Sequence, residues 1–297
     1  MKTALQNEGF RGQLRRDCPL APFTTWRIGG PAELLAVPAD RDDLLLAVSW
    51  AARQGIPWRV LGNGSNLLVH DAGVKGLVIR LRKVLDDVRI EGRDLEAGAG
   101  AMFPSVANQA AAAGLAGIEF GAGIPGTIGG AVVMNAGWHE HEIGNSVEFV
   151  DYLEPDGTMR HLPKDACDFR YRGSLFRGRP CVVLSTRLRL ESGVPAEIKE
   201  RLERFNESRK QNQPTELPSC GSVFVQPPGD FAGRLIDEAG LKGLRIGDVE
   251  VSAKHANFFV NVGHATCSEV LSLVARVESE ILRRFGVQLE REFELWE

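Results

Sequence analysis

Residues 117–137 read GIEFGAGIPGTIGGAVVMNAG, seven glycines with a single charged side chain, Glu119. Side chains cannot be the main ligands of such a stretch, so its backbone must be. Glycine permits positive φ and lets main-chain N–H groups come close to a bound molecule. Successive exposed N–H groups form concave anion sites suited to a pyrophosphate. The stretch therefore predicts a loop that receives a large phosphate-bearing cofactor. Two other readings fit less well. Gly117/Gly121 and Gly126/Gly130 have the spacing of a membrane-helix packing motif, but Glu119, Pro125 and the glycine density argue against a span of about 20 apolar helical residues. Gly121, Gly123 and Gly126 also spell GxGxxG. That fingerprint needs a strand before it and a regular helix opening on it, and Pro125 with Gly129-Gly130 makes such a helix doubtful.

Working outward, Pro104 opens an alanine-rich helix that ends near Gly114 and delivers the chain into the loop. Further upstream, WRVLGNGSNLLVH reads as strand, tight polar turn, strand. Gly62 and Gly64 allow a sharp turn, and Asn63, Ser65 and Asn66 add short hydrogen-bonding side chains. This turn suits a second phosphate cradle as well as it suits a plain hairpin. Before it, a helix is expected from Asp40 to Gly55, capped by Asp40, with Leu44, Leu45, Val48 and Ala52 on its apolar face. Residues 76–98 read as further short strands. Downstream, Glu154-Pro155-Asp156-Gly157 is strong turn chemistry for a hairpin over 146–162, and 180–190 is a strand. The character changes after Gly193-Val194-Pro195 to a charged helix, 196–211, with Ile198, Leu202 and Phe205 on one face. A helix around 230–239, strands near 247–251 and 257–262, and a helix from Thr266 to Gly286 with Glu269 in capping-box position follow. In the final VQLEREFELW, Val287, Leu289, Phe293 and Leu295 alternate with Glu290, Glu292 and Glu294, as in a half-buried strand, with Arg291 the exception among inward positions.

Composition narrows the class. A chain of 297 residues can hold two or three domains. Lys and Arg number 35 against 39 Asp and Glu, mixed along the chain, so no basic block marks a nucleic-acid footprint. The N-terminus lacks the apolar centre of a signal peptide. Cys18, Cys167, Cys181, Cys220 and Cys267 are scattered and never in CxxC spacing, which fits reduced thiols in a cytosolic protein. His139-Glu140-His141 is the only histidine cluster and lacks companion ligands, so no metal is expected.

Three segments put polar groups in unusual company. In DFRYRGSLF, Tyr171-Arg172 precedes Gly173-Ser174, either as an ordinary strand end or as a guanidinium fork for a carboxylate or phosphate. In PSCGSVFVQPP, Ser222 is a turn serine or a reactive hydroxyl, with no activating histidine nearby to make a hydrolase triad. Glu292 is one of a row of carboxylates or an isolated functional one. Read singly, the ordinary alternative leads in each case.

Together with TTWRIGGPAE (24–33), LGNGSNLLV (61–69), AGLKG (239–243), VSAKHANFFVN (251–261) and LEREF (289–293), these segments resemble, in order, the UDP-N-acetylenolpyruvoylglucosamine reductases, the MurB family of peptidoglycan synthesis. The short stretch between Arg172 and Ser222 is similar to the family's shorter type, which lacks an extra tyrosine-bearing loop. The resemblance implies an α+β fold: a two-part FAD-binding unit of the vanillyl-alcohol-oxidase and p-cresol-methylhydroxylase type, expected over 1–80 and 81–192, and a C-terminal α+β substrate-binding domain over 193–297. It implies noncovalent FAD, NADPH as reductant, and UDP-N-acetylglucosamine enolpyruvate as substrate, reduced to UDP-N-acetylmuramate. The expected cofactor residues are Gly62, Asn63, Gly64, Ser65 and Asn66 with Gly123, Ile124, Pro125, Gly126, Thr127, Gly129, Gly130, Ala131, Asn135, Ala136 and Gly137. Arg172 and Glu292 would orient and stabilise the enolpyruvyl carboxylate, and Ser222 would donate the proton that completes the lactyl ether. Tyr171, Arg172, Lys210 and Gln226 are expected to meet substrate. Val225-Gln226 departs from the family's usual cation-Asn pair. A monomeric cytoplasmic enzyme without nucleic-acid or membrane partners is expected. Another flavin oxidoreductase of the same superfamily and a nucleotide-binding module that has lost catalysis are the competing readings.

Overall fold

The computed structural model describes residues 1–297. It divides into two compact units: residues 1–16, 33–63 and 76–208, and residues 17–32, 64–75 and 209–297. Compactness thus cuts the chain differently from the expected boundaries at 80 and 192. Short N-terminal pieces group with the C-terminal third, because Trp26 and Ile28 are fully buried in that core. Trp26 meets Phe293 edge-on at 5.7 Å.

The first unit contains two separate cores. One gathers the buried face of the helix Arg41–Arg53 with strand residues such as Leu34, Leu77 and Ile79. The parallel pair Trp58–Leu61 and Val74–Arg80 runs in register from Trp58↔Leu77 to Leu61↔Arg80. The helix starts where expected, with the Asp40 side chain accepting from Asp43 N–H. Its buried face is Leu44, Ala47, Val48 and Ala51, whereas Ala52 is exposed, so the apolar stripe lies one position from the expected one. The second core lies on a five-stranded antiparallel sheet ordered Met159–Pro163, Val147–Leu153, Val182–Arg189, Asp94–Gly98, Val88–Glu91. The hairpin at 154–157 forms as its turn residues require, with Gly157 at φ +88°. The helix Phe103–Ala112 leads through Gly114, at φ +71°, toward the glycine-rich stretch.

The second unit is built on the helix Cys267–Phe285, whose Thr266–Glu269 capping box is complete and which ends on Gly286 in the left-handed region. Asp71 reinforces that start, accepting from Cys267 N–H at 2.7 Å and from the Ser268 hydroxyl at 2.6 Å. A three-stranded sheet, Arg245–Ile246, Val249–Val251 and Phe259–Asn261, packs beside it. The expected long terminal strand is regular only over Glu294–Trp296, which pairs in parallel with Leu67–Val69. Before it the side chains still alternate, with Leu289 and Phe293 buried. Arg291 turns outward to Glu278 at 2.7 Å. No helix is long and apolar enough to cross a membrane.

One buried carboxylate ties the first unit's helix to the chain before it. Asp43, 1% exposed, accepts from Gly12 N–H at 2.7 Å and from Arg11 and Ala39 N–H at 3.0 Å each. Burial pushes its pKa up, but these backbone hydrogen bonds and the Arg11 charge outweigh burial and hold it below 3.8. Its stabilising contribution is therefore complete above the ordinary carboxylate pKa and is lost as pH falls through the lower folded value. Asp43→Asn should lower unfolding free energy by about 1–3 kcal/mol at neutral pH. Urea titrations should show the gap between variant and parent closing as pH falls below about 4. A gap independent of pH would mean that the carboxylate charge plays no part.

Candidate active site

The loop over 62–66 and the glycine-rich stretch meet where the Thr127 side chain leaves no room for one at Gly62. A Cβ built on Gly62 would lie 2.6 Å from Thr127 Oγ1. The Asn63 amide donates to Pro125 O, so the two loops are hydrogen-bonded as well as packed. Thr127 then caps the helix Ile128–Met134, accepting from Gly130 N–H at 3.3 Å. A short helix therefore does open here, although what precedes it is the 3-10 turn Glu119–Gly123, not a strand.

The backbone of the glycine-rich loop is more fully engaged than its sequence suggests. Gly126 N–H donates to Ile124 O, Ile128 N–H to Ala101 O and Gly129 N–H to Ala99 O, at 2.8–2.9 Å. Gly129 is pressed against Ala99, whose Cβ would be 2.9 Å from an added Cβ. The glycines thus serve close packing and close approach more than a continuous row of spare donors. Asn135 is buried in the left-handed region at φ +44°. Its amide nitrogen donates to Glu142 at 2.6 Å and Arg170 O at 3.1 Å, and its Oδ1 accepts from Gly144 N–H at 3.0 Å. The Asn135 side chain is thereby committed to holding the loop's exit. Ala131 and Ala136 are linked by a backbone bond of 2.8 Å across the end of the short helix.

Beyond the loop, Gly137–Trp138 and His141–Glu142 form a tight hairpin. His139 and His141 each lie against a ring, Trp138 and Phe120 respectively. No group of three or more His, Cys, Asp or Glu side chains is arranged to hold a metal ion. Arg172 Nη2 donates to Gly137 O at 3.2 Å, which brings that guanidinium to the end of the glycine-rich loop. Its Cζ sits 4.8 Å from the centre of the Tyr171 ring. Arg172 itself is at φ +54°, a strained conformation for a non-glycine residue that concentrates at functional sites. Arg177 donates to Arg172 O at 2.8 Å, which helps to fix it.

In the second unit the segments that carry Ser222 and Glu292 run side by side, with Phe224 opposite Arg291. Residues 222–225 run between two neighbours: Val223 N–H donates to Asn257 O, Glu292 N–H to Val223 O and Val225 N–H to Glu290 O. Asn257, fully buried, clamps Phe224 through both its amide groups, accepting at 3.0 Å and donating at 2.8 Å. Gly221 precedes Ser222 at φ +84°, where a side chain would be strained. The Asn66 amide donates to Glu292 O at 3.1 Å, tying the first loop's far end to this segment. Cys220 next door is no reactive thiolate, because burial, and then the Glu292 charge, raise its pKa well above the usual thiol value. Burial likewise pushes Cys167 and Cys181 up to about 11 and Cys267 to about 12. Gln226 Oε1 accepts from Ala232 N–H at 2.8 Å, so a ligand contact from it would use the amide NH₂. Lys210 is exposed at the end of the helix Pro195–Asn212.

These features coincide with what comparison finds. Residues 32–163 match the family described as FAD binding domain, and residues 213–296 match the UDP-N-acetylenolpyruvoylglucosamine reductase C-terminal domain. The UDP-N-acetylenolpyruvoylglucosamine reductase of Moorella thermoacetica is 46% identical over 99% of this chain and 98% of its own length. That of Rubrobacter xylanophilus is 47% identical over 93% of each. The chain belongs to this reductase family. A solved MurB from Thermus caldophilus, 39% identical, superposes with a TM-score of 0.83 over 97% of this chain and 99% of that one. The α+β architecture is that of MurB, an FAD-binding portion with a C-terminal substrate domain.

FAD passes a physical test at this reductase's loops. Gly62 has no room for a Cβ beside the Thr127 hydroxyl, so the turn keeps its backbone bare next to the glycine-rich loop. Arg82 follows Leu81, whose N–H donates to Leu61 O just before the Gly62 turn. Its Nε is buried without a hydrogen-bond partner, a donor suited to phosphate. Arg82 was invisible in the sequence, where RLRK looks like a charged strand end. A second omission is an aromatic cavity beside the hairpin 137–142; the spacing of Arg201, Arg204, Phe205 and Ser208 on one helix face was its only signal.

The Asn63–Pro125 hydrogen bond should matter for cofactor retention more than for folding. Asn63→Ala is expected to weaken FAD binding roughly tenfold, the effect of about 1.4 kcal/mol. Flavin release on dilution, followed by fluorescence, measures this directly. Unchanged retention would separate the bond from cofactor binding.

Proposed function

We infer that this chain is the NADPH-dependent flavoenzyme that reduces UDP-N-acetylglucosamine enolpyruvate to UDP-N-acetylmuramate for peptidoglycan precursors. The observation that carries this reading is the pairing of the Ser222 and Glu292 segments through Glu292 N–H and Val223 O at 2.8 Å, in a chain of this family. The pairing puts the two residues on adjacent segments, one position apart in register, and family membership supports a hydroxyl donor and a carboxyl group acting on one substrate. When bound, FAD would supply the hydride chemistry that links NADPH to the terminal vinyl carbon. Loops 62–66 and 123–137 would hold it noncovalently, with Arg82 added to the expected set.

The protein's own part is orientation, charge stabilisation and one proton. Arg172 presents a planar fork to the enolpyruvyl carboxylate, and its contacts with Gly137 O and Tyr171 favour one orientation. As the vinyl CH₂ becomes CH₃, negative charge grows on the adjacent carbon and its carboxylate. Arg172 and Glu292 would stabilise that charge, the glutamate as a protonated donor or held by the arginine. Ser222 Oγ would then give its proton to that carbon, forming the new C–H bond of the lactyl ether. A serine hydroxyl is a weak acid in water, but an enolate-like acceptor is strongly basic, and fixed positioning supplies much of the remaining advantage. Tyr171, Lys210 and the amide of Gln226 are assigned to the rest of the substrate.

The two cores of the first unit support a division of the FAD-binding portion near residue 80; the substrate-binding domain is proposed to begin near 193, although residues 193–208 pack with the first unit. We also place the enzyme in the cytoplasm as a monomer. The scattered cysteines without CxxC spacing accord with a reducing compartment.

Ser222→Ala is the decisive test. Flavin reduction by NADPH should stay near normal, while reoxidation of the flavin by the enolpyruvyl substrate should fall at least roughly 100-fold, as for loss of a positioned acid. Ser222→Cys should recover part of the rate. Stopped-flow flavin absorbance reads both half-reactions, and near-normal reoxidation in Ser222→Ala would remove the serine from the mechanism. Arg172→Lys keeps the charge but loses the fork, so it too should slow reoxidation far more than reduction. Equal slowing of both would make Arg172 structural.

A further inference from the structure

The turn that carries Arg172 is not held by its own local chemistry alone. Arg170 and Gly173 exchange both backbone hydrogen bonds at 3.0 Å, which closes a tight turn with Arg172 at φ +54°. The left-handed region costs a residue with a side chain roughly 1–2 kcal/mol, so this conformation has to be held from outside. Two buried side chains hold it, one at each end. At the start, the Asn135 amide nitrogen donates to Arg170 O at 3.1 Å. At the far end the Ser174 hydroxyl, 1% exposed, donates to Val133 O at 2.8 Å and accepts from Phe176 N–H at 3.3 Å. Both anchors use one place in the fold. Val133 lies in the last turn of the helix Ile128–Met134, and Asn135 is its C-terminal cap. A last-turn carbonyl has no partner within its own helix. Ser174 therefore completes the helix end while the helix end fixes the turn. Asn135 is itself held, because Gly144 leaves no freedom beside it: a Cβ there would stand 2.7 Å from Asn135 Oδ1 and 2.8 Å from Phe169 Cγ.

We propose that Asn135 and Ser174 are positioning residues for Arg172, aiming its guanidinium by stapling the 170–174 turn to the end of the helix 128–134. The proposal rests on the reading that gives Arg172 the enolpyruvyl carboxylate. Neither anchor has to touch substrate. The Asn135 amide is spent on Glu142, Arg170 O and Gly144 N–H, and Ser174 is buried. Their effect passes through the planar fork of Arg172, whose two-point contact is lost when the fork is turned. The guanidinium then meets Gly137 O just beyond the same helix end. The stretch expected to receive the cofactor thus also sets the direction of the substrate cation.

Asn135 sits at φ +44°, so Asn135→Gly removes the side chain where glycine takes the backbone conformation readily. Ser174→Ala removes the other anchor, Ser174→Thr keeps a hydroxyl, and Asn135→Asp keeps an acceptor for Gly144 but no donor for Arg170 O. Stopped-flow measurements on the flavin-loaded variants compare reduction by NADPH with reoxidation by the enolpyruvyl substrate. In Asn135→Gly, Asn135→Asp and Ser174→Ala, reoxidation should slow by about ten- to a hundredfold more than reduction, the scale of misplacing a substrate-holding group by about 1 Å. Ser174→Thr should keep most of the parent rate. A double-mutant cycle with Arg172→Ala separates aiming from general loosening. Once the guanidinium is gone, Asn135→Gly or Ser174→Ala should slow reoxidation by less than about twofold further. Losses that multiply with that of Arg172→Ala, equal slowing of both half-reactions, or loss of flavin from all the anchor variants overturn the proposal. Normal reoxidation in Arg172→Ala sinks the role of Arg172 itself, whereas slow reoxidation there with normal anchor variants sinks the positioning alone.

Discussion

The approach of Gly62 to Thr127 is the constraint on which the cofactor site depends. The Thr127 side chain can lie against the Gly62 backbone there only because Gly62 has none of its own; a Cβ at Gly62 would stand 2.6 Å from the threonine hydroxyl. The Asn63 amide then fixes the spacing by bonding to Pro125 O. From that contact the rest follows in order. Thr127 caps the short helix, Gly129 packs it against Ala99, Asn135 ends it in the left-handed region, and Gly137 presents the carbonyl that Arg172 holds. Cofactor cradle and substrate cation are consecutive consequences of one loop path.

The same economy governs the other half of the chemistry. Main-chain pairing holds the segments that carry Ser222 and Glu292 side by side. The Asn257 clamp on Phe224 and the exchange between Val223, Val225 and the 290–292 segment set the register. A one-residue slip would turn both side chains to the opposite face. A buried asparagine thus stands behind an acid that is only half-buried itself. Leaving its partners unsatisfied would cost more than its own hydrogen bonds contribute, which makes the register hard to escape.

The legible parts of the fold were those fixed by local chemistry. Asp40, the Glu154–Gly157 turn and the Thr266–Glu269 box each set an element's start or turn, because caps and turns draw on neighbouring residues alone. What the sequence concealed was set by distant residues. Leu44 and Val48 announced a helix, but whether Ala51 or Ala52 faced inward depended on the sheet beneath it. The final alternation reads as one strand, yet only 294–296 find a regular partner, Leu67–Val69. Residues 17–32 belong with the C-terminal unit because Trp26 is buried against Phe293, a contact between residues far apart in sequence.

Site residues divide along the same line. Glycine density announces a stretch whose backbone comes close to its neighbours, and that much is legible from the sequence alone. Reading it as a row of donors overestimates the free N–H groups, since Gly126, Ile128 and Gly129 spend theirs on Ile124, Ala101 and Ala99. An arginine carries no comparable signal. Arg82, Arg172, Arg201 and Arg204 are alike in sequence, and only their surroundings separate them. Arg201 is neutralised by a buried glutamate, Arg172 is held in a strained conformation beside the glycine loop, Arg82 has a buried donor without an acceptor, and Arg204 faces an aromatic cavity with its charge unmatched. Cations whose charge or donors the protein leaves unmatched are the ones available to a phosphate or carboxylate. In a reductase whose ligands all carry phosphate, the pairing of each guanidinium is therefore a better guide to binding than its position in any motif.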